Sequence, residues 1–459
     1  MLSALFYFDP KAKIARFQYR GADAGAMKVA KAMPQLISQA MSSTSSSLLI
    51  PVDDVMRARH RLRGVALHSP LQRNHRLSEH YGADIYLKRE DLQEVRSYKI
   101  RGAYNNMAML SEEQRARGVV CASAGNHSQG MALACAKMKV KGTIYMPAVT
   151  PKQKVNKAKS FGREFVTIVL TGDTYDDAYA EALRGAEEHG WTFVHPFNDR
   201  NTIAGQGTVG LEILDDAEQP IDVLLMAVGG GGLSAGVGSV FAELSPKTTI
   251  YGIEPMGAPA MHDSFRAGEI VTLEKIDSFV DGAAVRRVGD INFPIVKAVT
   301  KDILLVDEGK VCKTMLELYN EDGIVAEPAG SLSVAALDQL GDIKGKTIVC
   351  VIGGGNNDIA RTAEIQERAL LYAGLKHYFI VEFPQRAGAL RDFLNILGPK
   401  DDITHFEYTK KTSRSVGPAL VGIELGNAAD FKSLTDRLDK AGIQYKHINN
   451  QPLLFEMFV

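Results

Sequence analysis

Cysteine is scarce in this chain and tryptophan scarcer: four of one and one of the other among 459 residues. Cys121, Cys135, Cys312 and Cys350 lie far apart, with no CxxC spacing. That pattern points away from a disulfide framework and from a metal site. All four sit in apolar surroundings, where cysteine serves as a small core residue, and a reducing cytosol fits best. Charge of one sign is also lacking, with 53 Lys and Arg against 54 Asp and Glu. No basic face for nucleic acid is therefore expected. No apolar run is long enough to span a bilayer, so no membrane partner is expected either. The opening apolar stretch, LSALFYF, is short and has no basic residue before it, which makes it a poor secretory signal. What remains is an ordinary globular composition, 45% apolar and 23% charged, in a chain long enough for two or three domains.

The chain divides by pattern. Residues 1–45 are rich in Lys and Arg and end in the polar tract Ser42–Ser47, which reads as a flexible linker. They are expected to be a disordered extension without a part in the chemistry, and Met41 is a candidate natural start. From Ile50 to about Leu375, short apolar runs alternate with helical patterns. GVVCAS, GTIYMP, EFVTIVL, DVLLMAV, TIYGIEP and TIVCVIGG read as strands, and TYDDAYAEALRGAEEHG as a helix. Such alternation predicts parallel sheets covered by helices, here in two α/β lobes spanning residues 46–375. The pattern changes near His377. HYFIVEF, ITHFEYT, ALVGIEL and IQYKHI read as strands around the helices AGALRDFLNIL and DFKSLTDRLDKAG. In the second helix Asn427 is the expected N-cap, Gly442 the C-terminal glycine, and Phe431, Leu434 and Leu438 one apolar face. The order βαββαβ is an α+β, ferredoxin-like module over residues 376–459, expected to bind or regulate rather than to catalyse.

Three motifs carry chemistry. Gly229, Gly230, Gly231 and Gly232 stand between the strand DVLLMAV and the helical LSAGVGSVFAEL. A glycine loop between a strand and a helix N-terminus is a phosphate cradle, and the spacing is neither GxGxxG nor GxxxxGK[ST]. Lys99, in SYKIRGA, opens a helical run. A lysine at a helix start, near other cations and partly buried, has a depressed pKa, as imine chemistry requires. A phosphate loop and such a lysine together suggest pyridoxal 5'-phosphate. In SAGNHSQG, Ser123, Ala124 and Gly125 precede a helix N-terminus suited to a substrate carboxylate. Asn126 offers an amide for a cofactor hydroxyl. His127 reads as a base or, more simply, as a packed histidine.

KREDLQEVRSYKIRGA, SAGNHSQG, AVGGGGL and HYFIVEFPQRAGALRDFL together resemble the biosynthetic threonine dehydratase (threonine ammonia-lyase) family. The likeness is to its shorter form with one ACT-like regulatory domain, in the type II (tryptophan-synthase-β-like) pyridoxal-phosphate group. It runs from about Ile50 to the end. The resemblance implies a two-lobed type II fold with an ACT-like C-terminal domain. Lys99 would form the imine with the cofactor, and Asn126 would bond its ring hydroxyl. Gly229 to Gly232 with Leu233 would hold its phosphate, and the loop at Ser123, with His127 beside it, would take the substrate carboxylate. It further implies dehydration and deamination of L-threonine to 2-oxobutanoate and ammonia, at the start of isoleucine biosynthesis, with L-serine as a second candidate substrate. Isoleucine, with valine as a second candidate, would be the effector of a cytoplasmic homotetramer. Lys88 to Asp91 match a recurrent stretch read as structural.

The chain departs from the family at Gly353, where a serine hydroxyl usually meets the cofactor's ring nitrogen; Ser331 is a candidate substitute or a helix cap. Two other readings stay open: another type II enzyme such as a serine dehydratase or racemase, and a non-catalytic amino-acid sensor.

Overall fold

The computed structural model describes residues 5–9, 14–18, 48–409, 415–451 and 454–455. Of the extension expected to be disordered, the described residues form strands β1 (Leu5–Asp9) and β2 (Ile14–Gln18), paired antiparallel. Met41 and the Ser42–Ser47 linker lie outside the described residues.

Ten strands follow between residues 71 and 352: β3 (Leu71–Arg73), β4 (Asp84–Arg89), β5 (Val119–Ala122), β6 (Gly142–Met146), β7 (Val166–Leu170), β8 (Thr192–Phe193), β9 (Val223–Ala227), β10 (Thr249–Pro255), β11 (Asp302–Val306) and β12 (Thr347–Ile352). They form two sheets, ordered β11-β10-β9-β12-β4-β3 and β7-β6-β5-β8. All pairings are parallel except β3 with β4. The parallel sheets expected are thus present, with one antiparallel edge added. Residues 74–83 between the two strands are too few for a parallel crossover. Each of the six apolar runs contains a strand. β4 was not legible because it ends in Lys88 and Arg89, charged side chains that the fold buries.

Helix boundaries follow local chemistry. The helix Tyr175–His189 starts in a capping box between Thr174 and Asp177 and stops at Gly190, whose φ is +67°. The Lys99–Ala108 helix has no side-chain cap. It is pinned instead by Arg101, which is 1% exposed. The guanidinium donates to both oxygens of Glu90 at 2.8 Å and to those of Glu212 at 2.7 and 2.8 Å. Lys88 lies 3.0 Å from Glu212, and the Ser69 hydroxyl donates to Glu90. Four charges of balanced sign thus satisfy one another away from water.

The C-terminal module has β13 (Lys376–Pro384), a short helix Ala389–Leu394, β14 (Asp402–Tyr408), β15 (Val416–Glu424), the helix Asp430–Lys440 and β16 (Tyr445–His447). Its antiparallel sheet is ordered β14-β15-β13-β16, the expected βαββαβ arrangement. Leu434 and Leu438 are fully buried with Phe379 and Val421, and Phe431 packs beside them. Gly442 has φ +70° just past the helix. Asn427 does not cap it: the N-cap is Ala429, and the Asn427 side chain accepts from the Ala429 N–H, two residues too early. A linker helix, Thr362–Tyr372, joins the module to the rest. Its Ile365 and Ala369 lie in the core of the larger sheet, and its Leu371 packs against Tyr378, Leu420 and Ile448.

Replacing Arg101 by leucine leaves Glu90 and part of Glu212 buried without a counter-charge. The expected cost is about 3–5 kcal/mol, read by urea unfolding at neutral pH; a loss under about 1 kcal/mol would contradict the pinning role.

Candidate active site

Lys99, Asn126, Gly229, Leu233 and Gly353 line one cavity, together with Glu327. These residues are contributed by strand ends and helix starts of both sheets. The lysine is the first residue of its helix, where the helix dipole and the lack of water both disfavour an ammonium. Its Nζ lies 3.3 Å from the Pro196 carbonyl oxygen, to which it donates. Burial pulls its pKa down to about 8, partly opposed by the negative charge of Glu327. The depressed value and its cause in burial were anticipated; the other expected cause, a set of neighbouring cations, is not what acts. Neighbouring cations do not produce it; Arg101 is turned to Glu90 and Glu212.

Asn126 is the first residue of the helix Asn126–Met138. Its Nδ2 donates to Glu327 Oε1 at 2.6 Å, and its Oδ1 accepts from Asn356 Nδ2 at 2.7 Å. The Asn356 backbone N–H donates to the other Glu327 oxygen at 3.1 Å. The carboxamide is therefore clamped at both ends, with one amide hydrogen left over. Sequence reasoning missed Glu327 and Asn356. Glu327 is 6% exposed, and burial raises its pKa to about 7. The only local signal was a charged residue inside the apolar run IVAEPAGSLSVAAL.

The glycine loop is shaped for close approach. Gly231 has φ +89° and is the N-cap of the helix Gly232–Leu244, with no side chain capping it. The N–H groups of that first turn therefore lack intrahelical acceptors. A Cβ at Gly230 would lie 2.3 Å from the Phe197 ring, and one at Gly229 3.0 Å from the Ala283 carbonyl. The Ser234 hydroxyl in the same turn is buried without a protein partner. A dipole-positive helix end with open donors and an orphaned hydroxyl fits a phosphate group.

Ser123, Ala124 and Gly125 lie at the entrance to the Asn126 helix and are partly exposed; they are not among the cavity's lining residues. The Gly125 N–H donates to the Ser123 hydroxyl at 3.2 Å. His127 is 3% exposed, with Nε2 2.8 Å from the Val194 oxygen. Burial and the nearby Lys99 hold its pKa down to about 3, so it is a neutral, packed histidine. Ser331 does not substitute at the ring-nitrogen end. It is fully buried, and its hydroxyl donates to the Pro328 oxygen of its own helix at 2.9 Å. At Gly353 itself a Cβ would meet only Tyr98, at 3.4 Å, an ordinary contact, whereas one at Gly354 would lie 2.5 Å from Glu327 Oε1. Glycine is thus demanded at 354 but not at 353.

A family model described as pyridoxal-phosphate dependent enzyme matches residues 64–354, and the chain belongs to that family. A second model, the C-terminal regulatory domain of threonine dehydratase, matches residues 367–458. The chain is 53% identical over 412 residues to the L-threonine dehydratase biosynthetic IlvA of Halalkalibacterium halodurans, across 89% of this chain and 99% of that one. It is 54% identical over 413 residues to the Bacillus subtilis protein of the same name, across 90% and 98%. Among solved structures, the processed form of threonine deaminase isoform 2 from Solanum lycopersicum superposes with a TM-score of 0.68 at 36% identity, covering 72% of this chain and 90% of that one. The two-lobed type II fold, the pyridoxal-phosphate cofactor and the regulatory domain inferred from sequence all stand.

The carboxyl of Glu327 has a folded-state pKa near 7 against an ordinary 4.5. The folded state then binds more protons than the unfolded one between those values, so this group's contribution to stability falls as pH rises through that window. Glu327→Gln mimics the neutral form. Its melting temperature relative to the unaltered apoprotein should rise between pH 5 and pH 7.5; a constant difference would refute the shift.

Proposed function

We infer that this chain is an L-threonine ammonia-lyase, releasing 2-oxobutanoate and ammonia. One observation carries the reading: a half-buried lysine with a pKa near 8 shares a cavity with a glycine cradle, in a chain about half identical to threonine dehydratases along nearly their full length. When bound, pyridoxal phosphate supplies the carbonyl that takes the substrate amine and the ring that accepts the electron pair left at Cα. The chain's own residues do the rest. Free N–H groups of the Gly229–Gly232 loop and Leu233 anchor the phosphate. Asn126, held by Glu327 and Asn356, turns its remaining amide hydrogen to the ring oxygen. Lys99 Nζ, partly neutral near pH 7–8 because it is buried, takes the Cα proton. Ser123, Ala124 and Gly125, at the N-terminus of the Asn126 helix, receive the substrate carboxylate, with His127 packed behind them.

The finer assignments belong to the same proposal. Residues 46–375 form the catalytic part and 376–459 the regulatory part, preceded by the 1–45 extension. Isoleucine lowers activity by binding one conformational state of the assembly better, with valine as a second candidate effector. The protein works as a cytoplasmic homotetramer, with L-threonine as substrate and L-serine as a second candidate. The C-terminal domain favours this reading over a serine racemase, and the retained lysine and cradle favour it over a sensor.

Incubation with L-threonine should yield 2-oxobutanoate, and isoleucine should reduce the rate. Lys99→Ala should lower kcat by about 10²–10⁴, with 2-oxobutanoate formation as the measure. Full turnover by that variant would end the assignment.

A further inference from the structure

Asn292 is fully buried and opens the helix Asn292–Val299 on the far side of the glycine loop. Its Nδ2 donates to the Gly230 carbonyl at 2.6 Å and to the Phe197 carbonyl at 3.1 Å. Both amide hydrogens are thereby used. The Gly289 N–H donates to the same Gly230 oxygen at 3.1 Å. None of the chain's described peptides is cis. In a trans peptide the carbonyl of Gly230 and the N–H of Gly231 point in opposite directions. Drawing that oxygen toward Asn292 therefore turns the Gly231 N–H to the open side of the loop. Without the two donors the peptide would be free to flip, since glycines flank it on both sides.

The second bond ties this cradle to the amine end of the cavity. Phe197, whose ring stands against Gly230, belongs to the segment His195–Asn198. His195 Nδ1 accepts from the N–H groups of Phe197 and Asn198 at 3.2 and 2.8 Å. Pro196 in the same segment offers the carbonyl that holds Lys99 Nζ.

We propose that Asn292 is a positioning residue for the phosphate cradle, fixing the Gly230–Gly231 peptide so that its N–H faces the anion. The proposal rests on the reading of Gly229–Gly232 as the phosphate site. Asn292 touches neither substrate nor cofactor; it acts through the peptide it holds. Its sequence setting, GDINFP, carries no sign of this role.

The test compares two probes on the full-length apoenzyme by equilibrium dialysis, pyridoxal phosphate and pyridoxal, which lacks the phosphate. The unaltered protein should bind the phosphorylated form much more tightly. In Asn292→Leu and Asn292→Asp, which keep the size but lose the donors, pyridoxal phosphate binding should weaken by about ten- to hundredfold. Pyridoxal binding should stay within about twofold of the unaltered protein, which also shows that the Lys99 end is folded. Equal weakening toward both probes would mark a purely structural residue, and no weakening would overturn the proposal. An unaltered protein that does not distinguish the probes would instead refute the glycine loop as the phosphate site.

Discussion

The burial of the Lys99 amine is the constraint on which the rest of the site depends. An ammonium at a helix N-terminus is opposed by the dipole and, without water, by desolvation. Left to itself, so long a side chain would reach for solvent. Two residues further along the same helix, Arg101 is fastened to Glu90 and Glu212 in a closed ionic cluster. The helix cannot rotate its first turn outward without breaking buried charge pairs. A basic group with a lowered pKa thus sits beside a set of buried charges that are paired with one another. Glu327, on the opposite wall, opposes the shift just enough to keep the amine titrating near neutrality.

The same cavity has a backbone feature at one end and a side-chain feature at the other. At one end, a run of glycines brings a helix terminus with open N–H groups to the cavity, and neighbouring atoms occupy the space that Cβ atoms would need. At the other, a carboxamide is fixed by a carboxylate and a second carboxamide, so its remaining hydrogen has one direction. Segment His195–Asn198 touches both ends, through the Phe197 ring and the Pro196 carbonyl. Glycine loop and lysine are therefore linked by a single piece of chain.

The linker helix Thr362–Tyr372 gives the regulatory module a physical route to that cavity. Arg361 and Arg368 lie over the Phe279 ring, 4.5 and 4.2 Å from its centroid. Four residues on, Ala283 packs against Gly229 of the cradle. The helix buries Ile365 and Ala369 in one core and packs Leu371 against the other, so it touches both parts of the chain.

Period and punctuation were enough for the strands β5, β6, β7, β9, β10 and β12, the βαββαβ order, the glycine loop and Lys99 at a helix start, because each is a local pattern. β4 was hidden because Lys88 and Arg89 look like surface residues until Glu212 and Asp91 are brought to them. Asn427 misled because the turn before its helix is two residues longer than the cap motif suggests. The sequence by itself determined the type of chemistry, through the residue types at 99, 126 and 229–232. Only the tertiary structure decided what tunes them. Glu327, Asn356 and Asn292 are distant in sequence from the groups they hold. Their significance lies in burial and in hydrogen bonds across the fold, which no local pattern records.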